Sequence, residues 1–347
     1  MRQNLREPWW PFVSVPKPAD TKLLFCVWHK FSQWHVPDWL VTAIRQRYPE
    51  MQVVHLQGYE RLGEEVRDAD ILVGWSLRPE QLASASKLQW IHSLAAGVGQ
   101  LMYPELRQSQ AVVTNARGIH AIPIAEHALG MMLALARHLP SAFRYQQRPQ
   151  WAQQEIWDEE PHPMELNSRT LAIVGYGTIG HALAARARAL GMRIVGVKKD
   201  VARGTEDADA LYPANRLADA LAEADFVVLA LPETSESHRM FGRAQFAAMK
   251  PTAYFINIAR GKLLDQEALA EALRQKRIAG AALDVADPEP LPPESPLWSL
   301  PNLIITPHLS AVSERLWHRQ AALLLNNLER FFSGRELLNA IDKQRGY

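Results

Sequence analysis

The chain has one cysteine among its 347 residues, Cys26, so no disulfide can form within it. That excludes a disulfide-stapled secreted domain and fits a reducing compartment, so a cytoplasmic location is the expectation. An excess of one charge is also missing. The 38 basic and 37 acidic residues leave a net charge of +1, which invites neither nucleic acid nor an anionic membrane surface. No apolar run approaches the length that spans a bilayer. Residues 1–20 hold charges, several prolines and the pair Trp9-Trp10, without the apolar core of a secretory signal. They read as an N-terminal extension, either poorly ordered or laying Trp9, Trp10 and Phe12 on the body. Internal repeats and low-complexity segments are absent from the sequence.

The length suits two domains, and a hydrophobic content of 48% can fill a sizeable core. At the centre, residues 171–180 read Leu-Ala-Ile-Val-Gly-Tyr-Gly-Thr-Ile-Gly. Four apolar residues run into Gly175-x-Gly177-x-x-Gly180. A helix-like run over 182–190 follows, then a second apolar run over 192–197. Strand, glycine turn, helix, strand is the context in which such a fingerprint means dinucleotide binding. Gly175 allows the tight turn, Gly177 lets backbone approach a pyrophosphate, and Gly180 lets the helix pack on the strand. The helix N-terminus, with Thr178 and Ile179, offers free N–H groups to the phosphates.

Further strands are expected at 22–28, 52–55, 69–74, 88–93 and 111–115, with a helix over 37–48. After the fingerprint come strands at 226–231, 253–258, 279–285 and 303–306. Helices fit over 266–275 and, at the end, 311–332. The alternation predicts α/β units with parallel sheets covered on both faces. Residues 122–137, apolar nearly all round, predict a long helix buried either between domains or between subunits. Residues 144–166, rich in Trp and Pro, read as an irregular arm. In open parallel sheets ligands gather beyond the carboxyl ends of the strands. Pro232, Arg260, Asp284 and His308 all fall there.

These residues carry a family resemblance. The markers, in order, are Ser93-Leu-Ala-Ala-Gly97-Val98, Val113-Thr-Asn115-Ala-Arg-Gly118 and Ala125-Glu126-His127. The glycine fingerprint follows, then Leu231-Pro232-x-Thr234 and Asn257-x-x-Arg260-Gly261. Ala282-Leu-Asp284-Val285 through Glu289-Pro290, and Thr306-Pro-His308, complete the set. From about residue 69 to 330 the chain resembles the D-isomer-specific 2-hydroxyacid dehydrogenases. That family includes glyoxylate/hydroxypyruvate reductases, D-lactate dehydrogenases and phosphoglycerate dehydrogenases. The resemblance implies two Rossmann-like doubly wound parallel-sheet domains with an interdomain cleft. A dinucleotide-binding domain over 119–306 is inserted into a discontinuous substrate domain, 21–118 plus 307–347. It also implies a homodimer, for which the 122–137 helix and the arm are the candidates.

Reducing a 2-keto acid requires a grip on the carboxylate, polarisation of the carbonyl, a hydride and a proton. His308 is the natural proton donor, because imidazole titrates closest to working pH. The resemblance makes Glu289 its carboxylate partner. Arg260 brings a permanent charge and a planar fork for the substrate carboxylate and the developing oxyanion. The Ala96-Gly97-Val98 turn is the expected backbone nest for the carboxylate. Trp75, Ser76 and Leu77 follow a substrate-domain strand and either select the substrate side chain or pack as ordinary loop. By resemblance Asp284 faces the nicotinamide carboxamide, and Leu231, Pro232 and Ile258 join the cofactor set.

Family members that use NAD carry an Asp where this chain has Lys198, followed by Lys199. A lysine cannot accept from ribose hydroxyls but can pair with a 2′-phosphate, and Arg203 could add to it. NADP(H) is therefore the favoured cofactor. NAD(H) remains the rival through Asp200, and no metal is expected. Ser310 stands where the family usually has glycine, contributing a hydroxyl or filling space. His238 follows Pro232 where smaller residues are commoner and is expected on the surface. The 155–163 arm is unlike most members. No basic cluster points to a phosphorylated substrate, and no regulatory domain is expected after the last helix. The expected activity is hydride transfer between NADP(H) and a small 2-keto/D-2-hydroxy acid of the glyoxylate/hydroxypyruvate type. The alternatives are an NAD-dependent dehydrogenase and a corepressor-like nucleotide sensor on the same fold.

Overall fold

A computed structural model of the chain describes residues 15–201 and 207–346. Trp9, Trp10, Phe12 and Arg203, named above, lie outside the described residues. The chain divides into two compact units: Met1–Ile119 with Ser313–Tyr347, and His120–Val312.

In the first unit, five strands among the described residues form one parallel sheet. They are β1 (Lys22–Cys26), β2 (Gln52–Leu56), β3 (Ile71–Gly74), β4 (Trp90–His92) and β5 (Val112–Thr114), in the order β2-β1-β3-β4-β5. Each of β1, β3 and β4 is buried throughout, as expected of strands covered on both faces. The helix Asp38–Arg47 packs Leu40 and Ile44 on one face of the sheet. The final helix, Leu316–Phe331, adds Leu324, Leu328 and Phe331 to the same core, and Phe331 stacks on Trp90 at 5.5 Å. That helix was expected from residue 311. It begins later because Leu309 and Ser310 give their N–H groups to the Asp284 carboxylate and the chain turns first.

The second unit holds a seven-stranded parallel sheet among the described residues. Its strands are β6 (Thr170–Val174), β7 (Arg193–Lys198), β8 (Ala210–Pro213), β9 (Phe226–Leu229), β10 (Tyr254–Asn257), β11 (Gly280–Leu283) and β12 (Leu303–Ile305). Their order is β12-β11-β10-β9-β6-β7-β8. The order reverses where β6 meets β9, so the glycine turn after β6 opens at the topological switch point. Strand β8 carried no sequence signal. It is short, half-buried and contains Pro213, features tolerated only at a sheet edge.

The long helix forms over Ala121–Ala136. Within its own unit it turns Ala125, Ala128 and Met132 inward, in one core with Leu183 and Ala187 of the helix Thr178–Ala189. Ile122 and Leu133 are 42% and 38% exposed on the single chain. The expected irregular arm takes in the end of the helix Leu139–Gln146 and the whole of the helix Gln153–Trp157. Pro140 lies in the first turn of the former, where a missing N–H has no helical partner to lose. Among the described residues no helix is long and apolar enough to cross a membrane.

Candidate active site

The three fingerprint glycines have three different surroundings. Gly175 has φ +97°, and a Cβ there would sit 2.6 Å from the Ala230 carbonyl. The turn therefore needs glycine for both its dihedral and its contact with the neighbouring strand end. A Cβ on Gly180 would come 3.0 Å from the Gly175 oxygen and 3.2 Å from Ile173 Cγ2, so the helix lies tight on β6. At Gly177 a Cβ would meet nothing within 4 Å. Space is open in front of its exposed backbone, at the N-cap of the helix Thr178–Ala189. Thr178 is exposed beside it and Ile179 is half-buried.

The neighbouring strand ends carry the polar groups. Ile258 is buried just past β10, and Leu231 and Pro232 follow β9, half-buried and exposed respectively. Arg260 is exposed on the loop after β10. Asn257, fully buried, shapes that loop: its Nδ2 donates to the Arg260 carbonyl and its Oδ1 accepts from Ala259 N–H, both at 3.0 Å. Gly261 follows because a Cβ there would collide with the Ala286 carbonyl. The loop after β10 and the loop after β11, which carries Glu289, thus run in backbone contact.

Glu289 and His308 meet directly, with 2.7 Å between Oε2 and Nδ1. The other Glu289 oxygen accepts from Ala286 N–H at 3.0 Å. Partial burial works to raise the Glu289 pKa. The bonds from His308 and Ala286 N–H, with the charges of His308 and Arg260, outweigh it and hold the carboxyl below its ordinary range. His308 itself has φ +52°, a conformation that costs a non-glycine residue on the order of 1–3 kcal/mol and persists only where its surroundings enforce it. Its side chain is 46% exposed.

Asp284, expected at the nicotinamide, has a side chain with no exposed surface. Its Oδ1 accepts from Thr306 Oγ1 at 2.6 Å and from Leu309 N–H at 3.0 Å, and its Oδ2 accepts from Ser310 N–H at 3.0 Å. Ser310 is 5% exposed and engages through its backbone. His127 completes the group, with Nε2 3.0 Å from Thr306 Oγ1. Sequence reasoning used Asn257, Thr306 and His127 only as motif letters. Their spacing in the motifs was the sole signal available.

In the first unit, Ala96 and Gly97 are exposed and Val98 is buried, on the turn after β4. Asn115 Nδ2 donates to the Ala96 carbonyl at 2.6 Å and holds the turn. Among the described residues the N–H groups of Ala96, Gly97 and Val98 make no hydrogen bond. Trp75, half-buried after β3, has its carbonyl bonded by Gln100 Nε2 at 3.3 Å and its ring edge-on to Trp34 at 6.0 Å. Ser76 is exposed and Leu77 buried.

Lys198 ends β7 half-buried, with Lys199 and Asp200 exposed after it. Lys199 Nζ pairs with Glu236 Oε2 at 3.0 Å, an exposed contact of the kind that contributes about 0–1 kcal/mol. His238 is exposed on the loop that bears Glu236. Among the described residues, no cluster of three or more His, Cys, Asp or Glu side chains is arranged to hold a metal ion.

A glycine turn at a switch point, with a histidine–carboxylate pair and an arginine on adjacent strand ends, belongs to a nicotinamide-dependent oxidoreductase fold. Residues 129–310 match the family model described as D-isomer specific 2-hydroxyacid dehydrogenase, NAD binding domain. A glyoxylate reductase of Korarchaeum cryptofilum is 35% identical over 289 residues, covering 81% of this chain and 85% of that protein. A D-isomer specific 2-hydroxyacid dehydrogenase family protein from Aeromonas salmonicida superposes with a TM-score of 0.79 at 31% identity, covering 93% of this chain and 99% of its own. An NADPH-dependent glyoxylate/hydroxypyruvate reductase from Sinorhizobium meliloti, solved with NADP and sulfate, gives 0.78 at 25% identity, with 94% and 100% covered. The chain belongs to the D-isomer-specific 2-hydroxyacid dehydrogenases. It is an NAD(P)-dependent enzyme that acts on a small hydroxy acid.

Proposed function

We propose that the enzyme works as a reductase of small 2-keto acids of the glyoxylate/hydroxypyruvate type and prefers NADP(H). The carrying observation is the His308–Glu289 pair, 2.7 Å apart, on loops next to the one that holds Arg260. In this reading the unit His120–Val312 is the dinucleotide-binding domain and the other unit the substrate domain, in a cytoplasmic homodimer.

The residues present fit the nucleotide. The open space before Gly177, the exposed helix N-terminus at Thr178 and the left-handed Gly175 make a cradle that a pyrophosphate can enter. Leu231, Pro232 and Ile258 would flank it. When bound, the reduced nicotinamide supplies the hydride to the keto carbon. Arg260 presents two N–H groups to the carboxylate and polarises the carbonyl oxygen as charge develops there. Glu289 Oε2 takes the Nδ1–H of His308, so the proton that leaves for the substrate oxygen is the one on Nε2. The unpaired N–H groups of Ala96, Gly97 and Val98 suit a carboxylate. Trp75 bears on side-chain choice. A nicotinamide contact at Asp284 would use lone-pair capacity left by its three donors, and the reading does not depend on it.

For the cofactor, Lys198 and Lys199 offer ammonium groups at the end of β7, where a ribose-binding carboxylate would otherwise stand. The NADP bound by the Sinorhizobium relative supports the same preference. Measuring kcat/KM for NADPH and NADH with glyoxylate and hydroxypyruvate tests the reading. A ratio above one for NADPH is expected. A higher value with NADH overturns the preference and moves the ribose contact to Asp200.

A further inference from the structure

The turn that carries His308 is held by a partly buried chain of side chains that no step of the reaction uses. Leu309 and Ser310 N–H can only donate, one to each oxygen of Asp284. Both oxygens are therefore acceptors, and the Thr306 hydroxyl must supply the proton of its 2.6 Å bond to Oδ1. That leaves the Thr306 oxygen as acceptor, so His127 Nε2, 3.0 Å away, carries a proton directed at it. The chain runs in one direction, from His127 on the helix Ala121–Ala136 through Thr306 after β12 to Asp284 after β11.

Asp284 then grips the turn at His308 and at the two residues after it. Its carbonyl accepts His308 N–H at 2.8 Å, and its carboxylate accepts the next two N–H groups. A histidine at φ +52° needs such enforcement. With the backbone held, the imidazole reaches Glu289 from a fixed origin.

We propose that His127, Thr306 and Asp284 form a positioning relay that fixes the orientation of His308. None of the three touches substrate in this scheme. The inference rests on the reading of His308 as the proton donor.

Thr306→Val, Thr306→Ser, His127→Phe and His308→Ala, each in the full-length enzyme, test it. The measurements are kcat and KM for glyoxylate, NADPH affinity by fluorescence, and thermal midpoint. Thr306→Val keeps the shape and removes the hydroxyl, so kcat should fall about tenfold or more, the scale of a small misplacement of a reacting group. NADPH affinity should stay within about twofold, because neither of the substituted relay residues, Thr306 and His127, is assigned to the nucleotide. Thr306→Ser should restore kcat to within about threefold, since it returns the hydroxyl. The double variant Thr306→Val/His127→Phe should be no slower than Thr306→Val alone, because both cut one chain.

Full kcat in Thr306→Val, with His308→Ala inactive, overturns the relay while the proton-donor reading stands. Full activity in His308→Ala overturns that reading instead. A Thr306→Ser variant as slow as Thr306→Val, with an unchanged thermal midpoint, also refutes the relay, because the hydroxyl would then not be what matters.

Discussion

Gly175 and Gly177 lie two residues apart, yet alanine at each should fail in opposite ways. At Gly175 the backbone sits at φ +97°, and the new methyl would be 2.6 Å from the Ala230 carbonyl and 2.7 Å from Leu231 Cβ. A left-handed dihedral costs an L-residue about 1–2 kcal/mol, and forcing a methyl into packed backbone about 1–3 kcal/mol more. The sum, about 2–5 kcal/mol, corresponds to a fall of roughly 4–20 °C in the thermal midpoint for a unit of this size. At Gly177 the methyl meets no atom within 4 Å and φ is −107°. Gly177→Ala should therefore leave the midpoint of the nucleotide-free protein within about 2 °C, the response to a surface change of about ±0.5 kcal/mol. Its effect appears only with ligand. The methyl occupies the approach proposed for the pyrophosphate, and overpacking of about 1–3 kcal/mol converts to a Kd for NADPH raised roughly 5- to 150-fold. Thermal unfolding without nucleotide and a fluorescence titration with NADPH read the two effects separately. An unchanged Kd in Gly177→Ala, with the fold intact, would show that the phosphates do not pass over this glycine.

Other outcomes follow from the same geometry. His308→Ala should lower kcat by about 100-fold or more, within the range general acid–base catalysis supplies, while NADPH affinity measured by titration stays level. Asn257→Ala removes both bonds that shape the Arg260 loop. It should raise KM for glyoxylate and lower kcat together, and an unchanged KM would count against Arg260 as the carboxylate grip. Glu289 has a depressed pKa in the folded state, so its stabilisation is complete above the ordinary carboxylate range and is lost as pH falls through the lowered value. Chemical unfolding of wild type and Glu289→Gln should therefore differ by a constant amount near neutrality and converge only in acid; convergence already near neutrality would refute the pairing. Burial pushes His92 from 6.5 down to about 3, so between those values the unfolded chain binds the extra proton. Stability is then lost on acidification at up to about 1.4 kcal/mol per pH unit for that one proton. His92→Asn should flatten the slope between pH 6 and 4, and an unaltered slope would refute the burial argument.

Much of the architecture was legible because local patterns sufficed. Strands β1, β3 and β9 to β11 are nearly continuous apolar runs, broken only by Lys22 and Asn257 at strand ends, and a covered parallel sheet demands such runs. The glycine spacing announced the turn after β6, and the strand ends pointed to Arg260, Asp284 and His308. Strand β8 escaped notice because an edge strand of four half-buried residues containing Pro213 has no apolar signature. The arm's helix Gln153–Trp157 escaped because a five-residue helix in a stretch rich in tryptophan and proline carries no periodic signal. The partners of the site escaped for another reason. Thr306 and Asp284 are 22 residues apart, and His127 and Thr306 are 179 apart. No short-range pattern connects them.

The sequence by itself determined the family, most of the order of strands and helices, and which residue types stand at the strand ends. Those depend on periodicity, on glycines with definite dihedrals, and on motifs a few residues long. Only the tertiary structure decided which polar groups meet. Beyond the Glu289–His308 pair that the resemblance implied, it enclosed Asp284 beneath the histidine turn, turned the Ser310 side chain inward, and left the space before Gly177 open. Hydrogen bonds form over about 3 Å, and only the folded sheet brings atoms from distant parts of the chain within that reach.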